Sequence, residues 1–236
     1  RSTLFPYTTL FRSGESPYAS PTDMGVNMAG NCIVDDDVCR WASCQEIIRR
    51  YYKALCDFAD GKATENEVNK LALLMKKAKI TTAYRKATVA AKERLEEARV
   101  ATAAIELSDG TILTGATSSL LGPSAALLLN ALKHLAGIAH NVKLIPQTMI
   151  EPIQKTKVTY LHGRNPRLHT DEVLVAISMM SLIDENCKIA IDQLPNLAGA
   201  QVHSTVMLSE VDRKTFSKLG IGVTCDPVRK LKDHEK

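Results

Sequence analysis

The chain has 236 residues, with 30 lysines and arginines against 26 aspartates and glutamates, so its net charge is only +4. The charges are dispersed and aromatic residues make up 5% of the chain. Both observations argue against the clustered basic face and the base-stacking platforms of nucleic-acid-binding proteins. No apolar run reaches the roughly 20 residues that a membrane-spanning helix needs. We therefore expect neither a nucleic-acid partner nor membrane association.

The six cysteines form no Cys-x-x-Cys pair. Cys39 and Cys44 lie on a predicted helix, where they are more typical of partly buried thiols than of a metal site. Free thiols in a chain of this size are typical of a reducing compartment. The sequence therefore predicts a cytoplasmic protein without a metal site.

The first residues need separate treatment, because residues 3–13 resemble the translation of a common sequencing-library adapter. We interpret residues 1–13 as an artefact, so that the protein itself enters mid-chain near Gly14. Residues 14–100 are then predicted to be a loop followed by a helical segment. Residues 101–227 are predicted to be an α/β domain, and residues 228–236 a charged tail.

Residues 16–31 are predicted to be a loop, since they are polar, rich in glycine and proline, and without a regular period. Asp23 and Asn27 lie in this loop and are candidates for lining a binding site. The alternative is that both serve ordinary turn chemistry.

Three helices are predicted between residues 35 and 99. The first covers residues 35–60 and ends at Gly61, although the capping-box pattern Ser43-x-x-Glu46 favours a later start. A capping box at Thr64 opens the second helix, and residues 82–99 form the third.

Residues 109–138 are the centre of the predicted fold. An Asp-Gly turn joins two β-prone runs into a hairpin, and Pro123 then fits the first turn of a helix that is apolar on most sides. The small-residue loop before this helix has free N–H groups and hydroxyls, which is typical of a phosphate or carboxylate cradle. The alternative is a helix capped by its own loop. The candidate cradle residues are Thr114, Gly115, Thr117 and Ser118.

After the central helix, residues 142–146 are predicted to be a strand that completes a βαβ unit. Residues 150–161 are ambiguous, and residues 162–172 form a loop dense in polar side chains just before a helix. The functional interpretation is a substrate loop whose arginines bind an anion and whose histidine is a general acid or base; the alternative is a capped surface loop. Its candidate binding residues are Arg164, Asn165 and Arg167, and its candidate catalytic residues are His169 and Asp171.

The last part of the sequence predicts helices at residues 173–183 and 186–194 and a strand at residues 202–208. A helix capped by Ser209-x-x-Asp212 and a final strand at residues 221–224 then complete a second βαβ unit. His203 and Ser204 are further candidate site residues. A histidine in an apolar run is more typical of a core, and Ser204 lacks a nucleophile elbow. The predicted fold class is α/β, with a helical N-terminal segment followed by a sheet with βαβ units.

Several long motifs together resemble DUF1846, a bacterial family of domains of unknown function. These are SPTDMGVNMAGNCIVDDDV at residues 20–38, QEIIRRYY at 45–52, LLGPSAALLLNALKHLAGI at 120–138, NPRLHTDEVL at 165–174 and HSTVMLSEVD at 203–212.

The resemblance implies a longer protein, of which this chain is the C-terminal half. It also implies that a Gly-rich, Lys-containing segment similar to a nucleotide phosphate loop precedes it, so that a nucleotide is a candidate cofactor. The family has lysine where Ala116 stands here, which implies a weaker anion cradle in this chain.

The leading functional hypothesis is the C-terminal part of an enzyme that binds a phosphorylated or other anionic small molecule. It expects three polar loops, residues 22–31, 114–119 and 164–171, to meet at one end of the sheet. The alternative is a non-catalytic assembly domain that forms a homo-oligomer around a nucleotide-binding N-terminal half.

Overall fold

The computed structural model describes residues 35–229. The chain divides into two compact units, residues 1–46 and 47–236, and of the first the structure describes residues 35–46, which begin α1. The helices of the described residues are α1 (Asp36–Ala59), α2 (Glu65–Lys77), α3 (Lys86–Ala98), α4 (Pro123–Leu135), α5 (Gln147–Lys155), α6 (Thr170–Met180), α7 (Glu185–Ile191) and α8 (Glu210–Lys218).

The strands are β1 (Thr102–Glu106), β2 (Ile112–Ala116), β3 (Gln201–Ser204) and β4 (Gly222–Cys225). They form one mixed sheet in the order β2-β1-β3-β4, in which β1 is antiparallel to both neighbours and β3 is parallel to β4. This register brings the last residues of β2, β3 and β4 and the first residue of β1 to the same end. We call it the carboxyl end of the sheet.

Helices cover both faces of the sheet. On one face, Ala103, Ile105 and Val202 pack into the main hydrophobic core with buried residues of α4, α6, α7 and α8. Neighbouring residues of a strand project to opposite faces, and His203 accordingly contacts Tyr52 of α1, with ring centroids 4.8 Å apart. Helix α3 lies on that second face, where the Thr102 hydroxyl donates to the Ala91 carbonyl at 2.7 Å.

The predicted fold class is confirmed: helices come first, and a mixed sheet with packed helices follows. The β1–β2 hairpin and the β3-α8-β4 unit are present as predicted. Local capping rules placed two helix starts correctly. The Thr64 N–H donates to Glu67 at 2.7 Å, and the Ser209 hydroxyl accepts from the Asp212 N–H at 3.1 Å. Among the described residues no helix combines the length and apolarity needed to cross a membrane.

Two local predictions were wrong. Residues 142–146 form no strand, so the first predicted βαβ unit is not made; Leu144 and Ile145 are buried, but the Leu144 carbonyl accepts from the Cys187 thiol. A short apolar run signals burial without specifying strand pairing. The third helix does not start at residue 82, because Arg85 is extended between a short helical turn and α3. Of the two starts that the sequence leaves open for α1, the structure has the earlier one, at Asp36.

Gly115 explains how closely α4 approaches the sheet. A Cβ atom at this position would lie 2.3 Å from the Leu127 nitrogen and 2.8 Å from the Pro123 carbonyl oxygen, both in α4. Glycine allows such a close approach between a strand and a helix backbone. The amino end of α4 therefore lies directly over β2.

Candidate functional site

A cleft of about 430 Å³ opens at the carboxyl end of the sheet. Such a position, beyond the ends of the strands, is where ligands bind in many open α/β sheets. Its charged lining consists of three arginines and one carboxylate: Arg99, Arg167, Arg229 and Asp226. The cleft therefore carries a net positive charge, which favours an anionic occupant.

Arg99 enters this cleft from the end of α3. Its backbone has φ +55° and ψ +24°, the left-handed conformation in which helices commonly end at a glycine. A side chain in this conformation costs roughly 1–2 kcal/mol, so the fold alone would favour glycine here. Within residues 35–229, no side chain forms a hydrogen bond or ion pair with the Arg99 guanidinium.

The other charged groups of the cleft are held by neighbours. The Arg167 Nε donates to the Ser118 carbonyl at 2.8 Å, and Arg229 pairs with Asp60 at 3.0 Å. Asp226 lies 3.8 Å from the Lys92 ammonium and 3.6 Å from Nε2 of His203. Of the four charged residues that line the cleft, Asp226, Arg167 and Arg229 are thus engaged with neighbouring groups.

A backbone pairing brings two of the predicted loops together. Leu168 donates its N–H to the Leu120 carbonyl at 3.0 Å and accepts from the Gly122 N–H at 3.2 Å. This parallel bridge places the segment of Arg167 and His169 beside the loop that leads into α4. Thr117, Ser118 and Arg167 therefore lie close together, while the third predicted loop, residues 22–31, lies outside the described residues.

His169, which is partly buried, forms an acid–base pair with the buried Asp212 of α8. Nδ1 of His169 lies 3.0 Å from Oδ2 of Asp212, and the Ser209 hydroxyl donates to the same oxygen at 2.7 Å. The other oxygen, Oδ1, accepts from the N–H and hydroxyl of Thr170, both at 3.0 Å.

Asp212 is buried, and burial on its own would raise its pKa. The hydrogen bonds from His169, Thr170 and Ser209 outweigh burial and lower the pKa of Asp212 to about 2. The carboxylate is therefore ionised at neutral pH. It orients the imidazole in the way that carboxylates orient catalytic and metal-binding histidines.

The predicted cradle residues have mostly structural roles. Thr114 and Gly115 belong to β2 instead of a loop; Asn130 donates to the Thr114 carbonyl at 2.9 Å, and Gly115 makes room for α4. The Ser118 hydroxyl accepts hydrogen bonds from the N–H groups of Leu120 and Leu121. This is the pattern of a loop that is capped by its own side chain. Thr117 lines the cleft, although its hydroxyl donates to the Ala101 carbonyl at 2.8 Å.

Ala116, where the resemblance implies lysine, also lies in β2. Because Gly115 faces α4, its neighbour Ala116 projects from the opposite face of the sheet. A lysine at this position would point away from the amino end of α4.

The residues of the polar loop are divided between surface and site. Arg164 and Asp171 are exposed, and Asp171 lies in the first turn of α6, where an acid suits the helix dipole. Asn165 accepts the Arg167 N–H on its side chain at 3.2 Å and so shapes the loop. The acid that pairs with His169 is Asp212.

His203 and Ser204 lie inside the sheet. His203 is fully buried, and its Nδ1 lies 2.9 Å from the Thr224 hydroxyl. Burial lowers the pKa of His203, against the opposing effect of Asp226, so the ring is neutral at neutral pH. The Ser204 hydroxyl donates to the Val206 carbonyl at 2.9 Å. Asp23 and Asn27 lie outside the described residues.

Sequence reasoning missed Asp212, Arg99 and Arg229 as site residues. Asp212 was predicted only as a capping residue, and its partner His169 is 43 positions earlier, so no local pattern joins them. Arg99 and Arg229 stand alone in the sequence, without a motif. Within the described part of the chain, no cluster of three or more His, Cys, Asp or Glu side chains is arranged to hold a metal ion.

Comparison with known proteins gives the family. Residues 83–233 match the domain described as domain of unknown function DUF1846, C-terminal, and residues 7–79 match the N-terminal domain of DUF1846. The expectation that the chain holds only the C-terminal half is therefore wrong, because both domains are matched. The N-terminal match begins inside residues 1–13, the segment interpreted as an adapter.

Several bacterial proteins are similar to this chain over most of its length. A UPF0371 protein of Corynebacterium diphtheriae is 53% identical over 214 residues, which cover 91% of this chain and 43% of that protein. A UPF0371 protein of Streptococcus sanguinis is 49% identical over 215 residues, covering 91% of this chain and 44% of that protein. The chain thus spans less than half the length of these curated relatives. On the strength of the family match, the chain belongs to DUF1846.

Proposed function

We propose that this chain binds a small anionic molecule in the cleft at the carboxyl end of the sheet, as part of the site of an enzyme. The observation that carries the proposal is the lining of the cleft, which contains three arginines, Arg99, Arg167 and Arg229, and a single carboxylate, Asp226. Arginine is suited to phosphate and carboxylate groups because its planar guanidinium donates two parallel hydrogen bonds.

The conformation of Arg99 supports a functional role. Strained backbone conformations persist where the surrounding structure or the function requires them. At this position the strain keeps a cationic side chain at the mouth of a cleft, where a glycine would be more stable and would carry no charge.

The His169–Asp212 pair gives the same region a group that can move a proton. Arg167 lines the cleft, and His169 lies two residues further along the chain, where it lines a separate small cavity. General acid–base catalysis by a positioned histidine contributes typically about 10²–10⁴-fold to a rate. A phosphorylated metabolite or a nucleotide is a suitable class of ligand, with further contacts supplied by the remaining part of the longer relatives.

Titration calorimetry of the chain and of a full-length relative, against a panel of nucleotides and sugar phosphates, tests the proposal. Arg99→Gly should weaken binding about tenfold, the value of one hydrogen bond to a charged group. Arg94→Ala is the matched control, because Arg94 lies on the same helix but pairs with Glu97 on the surface. No binding anywhere in the panel, or equal binding by both variants, would contradict the proposal.

A second candidate is the assembly domain, favoured by an apolar surface on α6 and the turn that follows it. Four large side chains there are mostly exposed: Val175 at 62%, Met179 at 59%, Leu182 at 84% and Ile183 at 81%. Contiguous exposed apolar surface is typical of contact sites between proteins. Light scattering of the wild type and of Leu182→Lys tests this candidate. An oligomer that dissociates in the variant supports it, and a monomeric wild type contradicts it.

A further inference from the structure

A second, much smaller cavity lies at the amino end of α4. It measures about 10 Å³, close to the space that one water-sized atom requires. Helix α4 contributes its first residues, and the segments around His169 and Ser209 close the other sides. The lining residues are Gly122, Pro123, Ser124, Ala125, Leu168, His169, Met207, Leu208, Ser209 and Asp212.

Ser124 has an unusual environment in this cavity. Its side chain is buried, with 2% of the residue exposed, and its hydroxyl has no hydrogen-bond partner. Buried polar groups are nearly always bonded, and leaving one without a partner costs about 1–3 kcal/mol. An unpaired buried hydroxyl beside a polar cavity of this size indicates that a water molecule or a ligand atom completes its bonding.

The backbone of α4 adds further donors. The Ala126 N–H is bonded to the Gly122 carbonyl at 3.0 Å, while the amides of Ser124 and Ala125 have no acceptor in the described part of the chain. Pro123 has no N–H, so these two amides and the Ser124 hydroxyl are the donors at this helix end. The helix dipole gives this position a preference for negative charge.

One negative group, Asp212, also lines the cavity and would oppose an anion. Its two oxygens accept four bonds, from His169, Ser209 and both donors of Thr170. These four donors compensate the charge of the carboxylate, and the imidazole that it orients lines the cavity as well.

We propose that this cavity is an oxyanion pocket that receives one terminal oxygen of a phosphoryl group. The size admits a single oxygen, and the donors are those that bind phosphate at helix ends. A phosphoryl group has further terminal oxygens, which remain outside a cavity of this size. The inference rests on the proposed function and names the chemical class of its ligand.

The test uses inorganic phosphate as the probe and the full chain, labelled with nitrogen-15. Phosphate should move the amide resonances of Ser124 and Ala125 downfield in a saturable manner. Ser124→Ala should weaken phosphate binding about tenfold and leave the fold intact, because it removes a hydroxyl that has no partner. Ser119→Ala is the control, since Ser119 is an exposed hydroxyl residue in the loop before α4 and does not line the cavity.

The outcomes separate this inference from the proposed function. Phosphate that binds without moving the two amides, and with equal affinity in Ser124→Ala, overturns the pocket but leaves anion binding in the cleft. A wild type that does not bind phosphate also overturns the pocket, while the cleft is judged by the larger ligand panel. If acetate moves the same amides with equal affinity, the assignment to a phosphoryl group is wrong.

Discussion

The two arginines that flank α3 lie in opposite surroundings. Arg85, just before the helix, is fully buried, and it donates to the carbonyls of Val202 at 2.8 Å and of Gly222 at 2.6 Å. Arg99, just after the helix, is exposed at the mouth of the cleft. The comparison shows that arginine supports the fold where backbone acceptors surround it, and that it lies exposed at a cleft where such acceptors are absent.

The largest expected effect comes from removing the buried arginine. Burial lowers the pKa of Arg85 to about 10, so the side chain remains charged at neutral pH. Arg85→Met should destabilise the protein by about 3–5 kcal/mol, because buried carbonyls lose their charged donor. Urea unfolding followed by circular dichroism measures this. A loss below about 1 kcal/mol would show that Arg85 contributes little to the fold, and the comparison would fail.

The buried carboxylate of Asp212 should also stabilise the folded protein, as the buried guanidinium of Arg85 does. The pKa of Asp212 is about 2 in the folded protein, against an ordinary value of 3.8. Because the folded value is the lower one, the contribution to stability is present above about pH 4 and is lost as the pH falls towards 2. Its size is about 2 kcal/mol. Unfolding free energies at pH 6, 4 and 3 should show this dependence in the wild type, and a smaller one in Asp212→Asn.

Replacement of the exposed Arg99, in contrast, should stabilise the protein. Arg99→Gly replaces a residue in the left-handed conformation by the one that adopts it without strain, so stability should rise by about 1 kcal/mol. Thermal unfolding gives the sign of the change. A stabilised variant that also loses anion binding would sharpen the comparison, whereas a destabilised variant would show that the Arg99 side chain supports the fold.

The smallest effect is expected at Arg94, on the surface of α3. Its ion pair with Glu97 spans 2.8 Å and is exposed on both sides. Exposed pairs of this type contribute about 0.3–0.5 kcal/mol, so Arg94→Ala should change the unfolding free energy by no more than that amount. A larger change in the unfolding free energy would mean that the exposure of an arginine on this helix does not predict how much it contributes to stability.

The local parts of the fold followed from the sequence. The capping patterns at Thr64 and Ser209, the turn at Gly110 and the proline at the start of α4 each act within a few residues, and each was predicted correctly. The failed strand at residues 142–146 has a physical reason. Its apolar residues are buried as expected, but whether a buried segment also pairs with a strand depends on neighbours far away in the chain.

The site was less predictable for the same reason. Arg167 and His169 were found because polar residues are dense in their loop, and Thr117 because it precedes a helix. Asp212 was assigned only its local role at the start of α8, since its contact with His169 depends on how two distant helices pack. The sequence predicts Gly115 as part of a small-residue loop, whereas its role in the fold is to allow α4 to approach β2.

The missing side chain at Gly115 has a consequence for variation at this position. A methyl group there would meet backbone atoms of α4, which cannot move aside as a flexible side chain does. Even an alanine at position 115 would move α4 away from the sheet and displace the N–H donors at the start of the helix. In a library of all substitutions, the protein should therefore tolerate changes at Thr114 and Ala116 far more readily than at Gly115. The lack of a Cβ atom at position 115 thus sets the distance between β2 and α4.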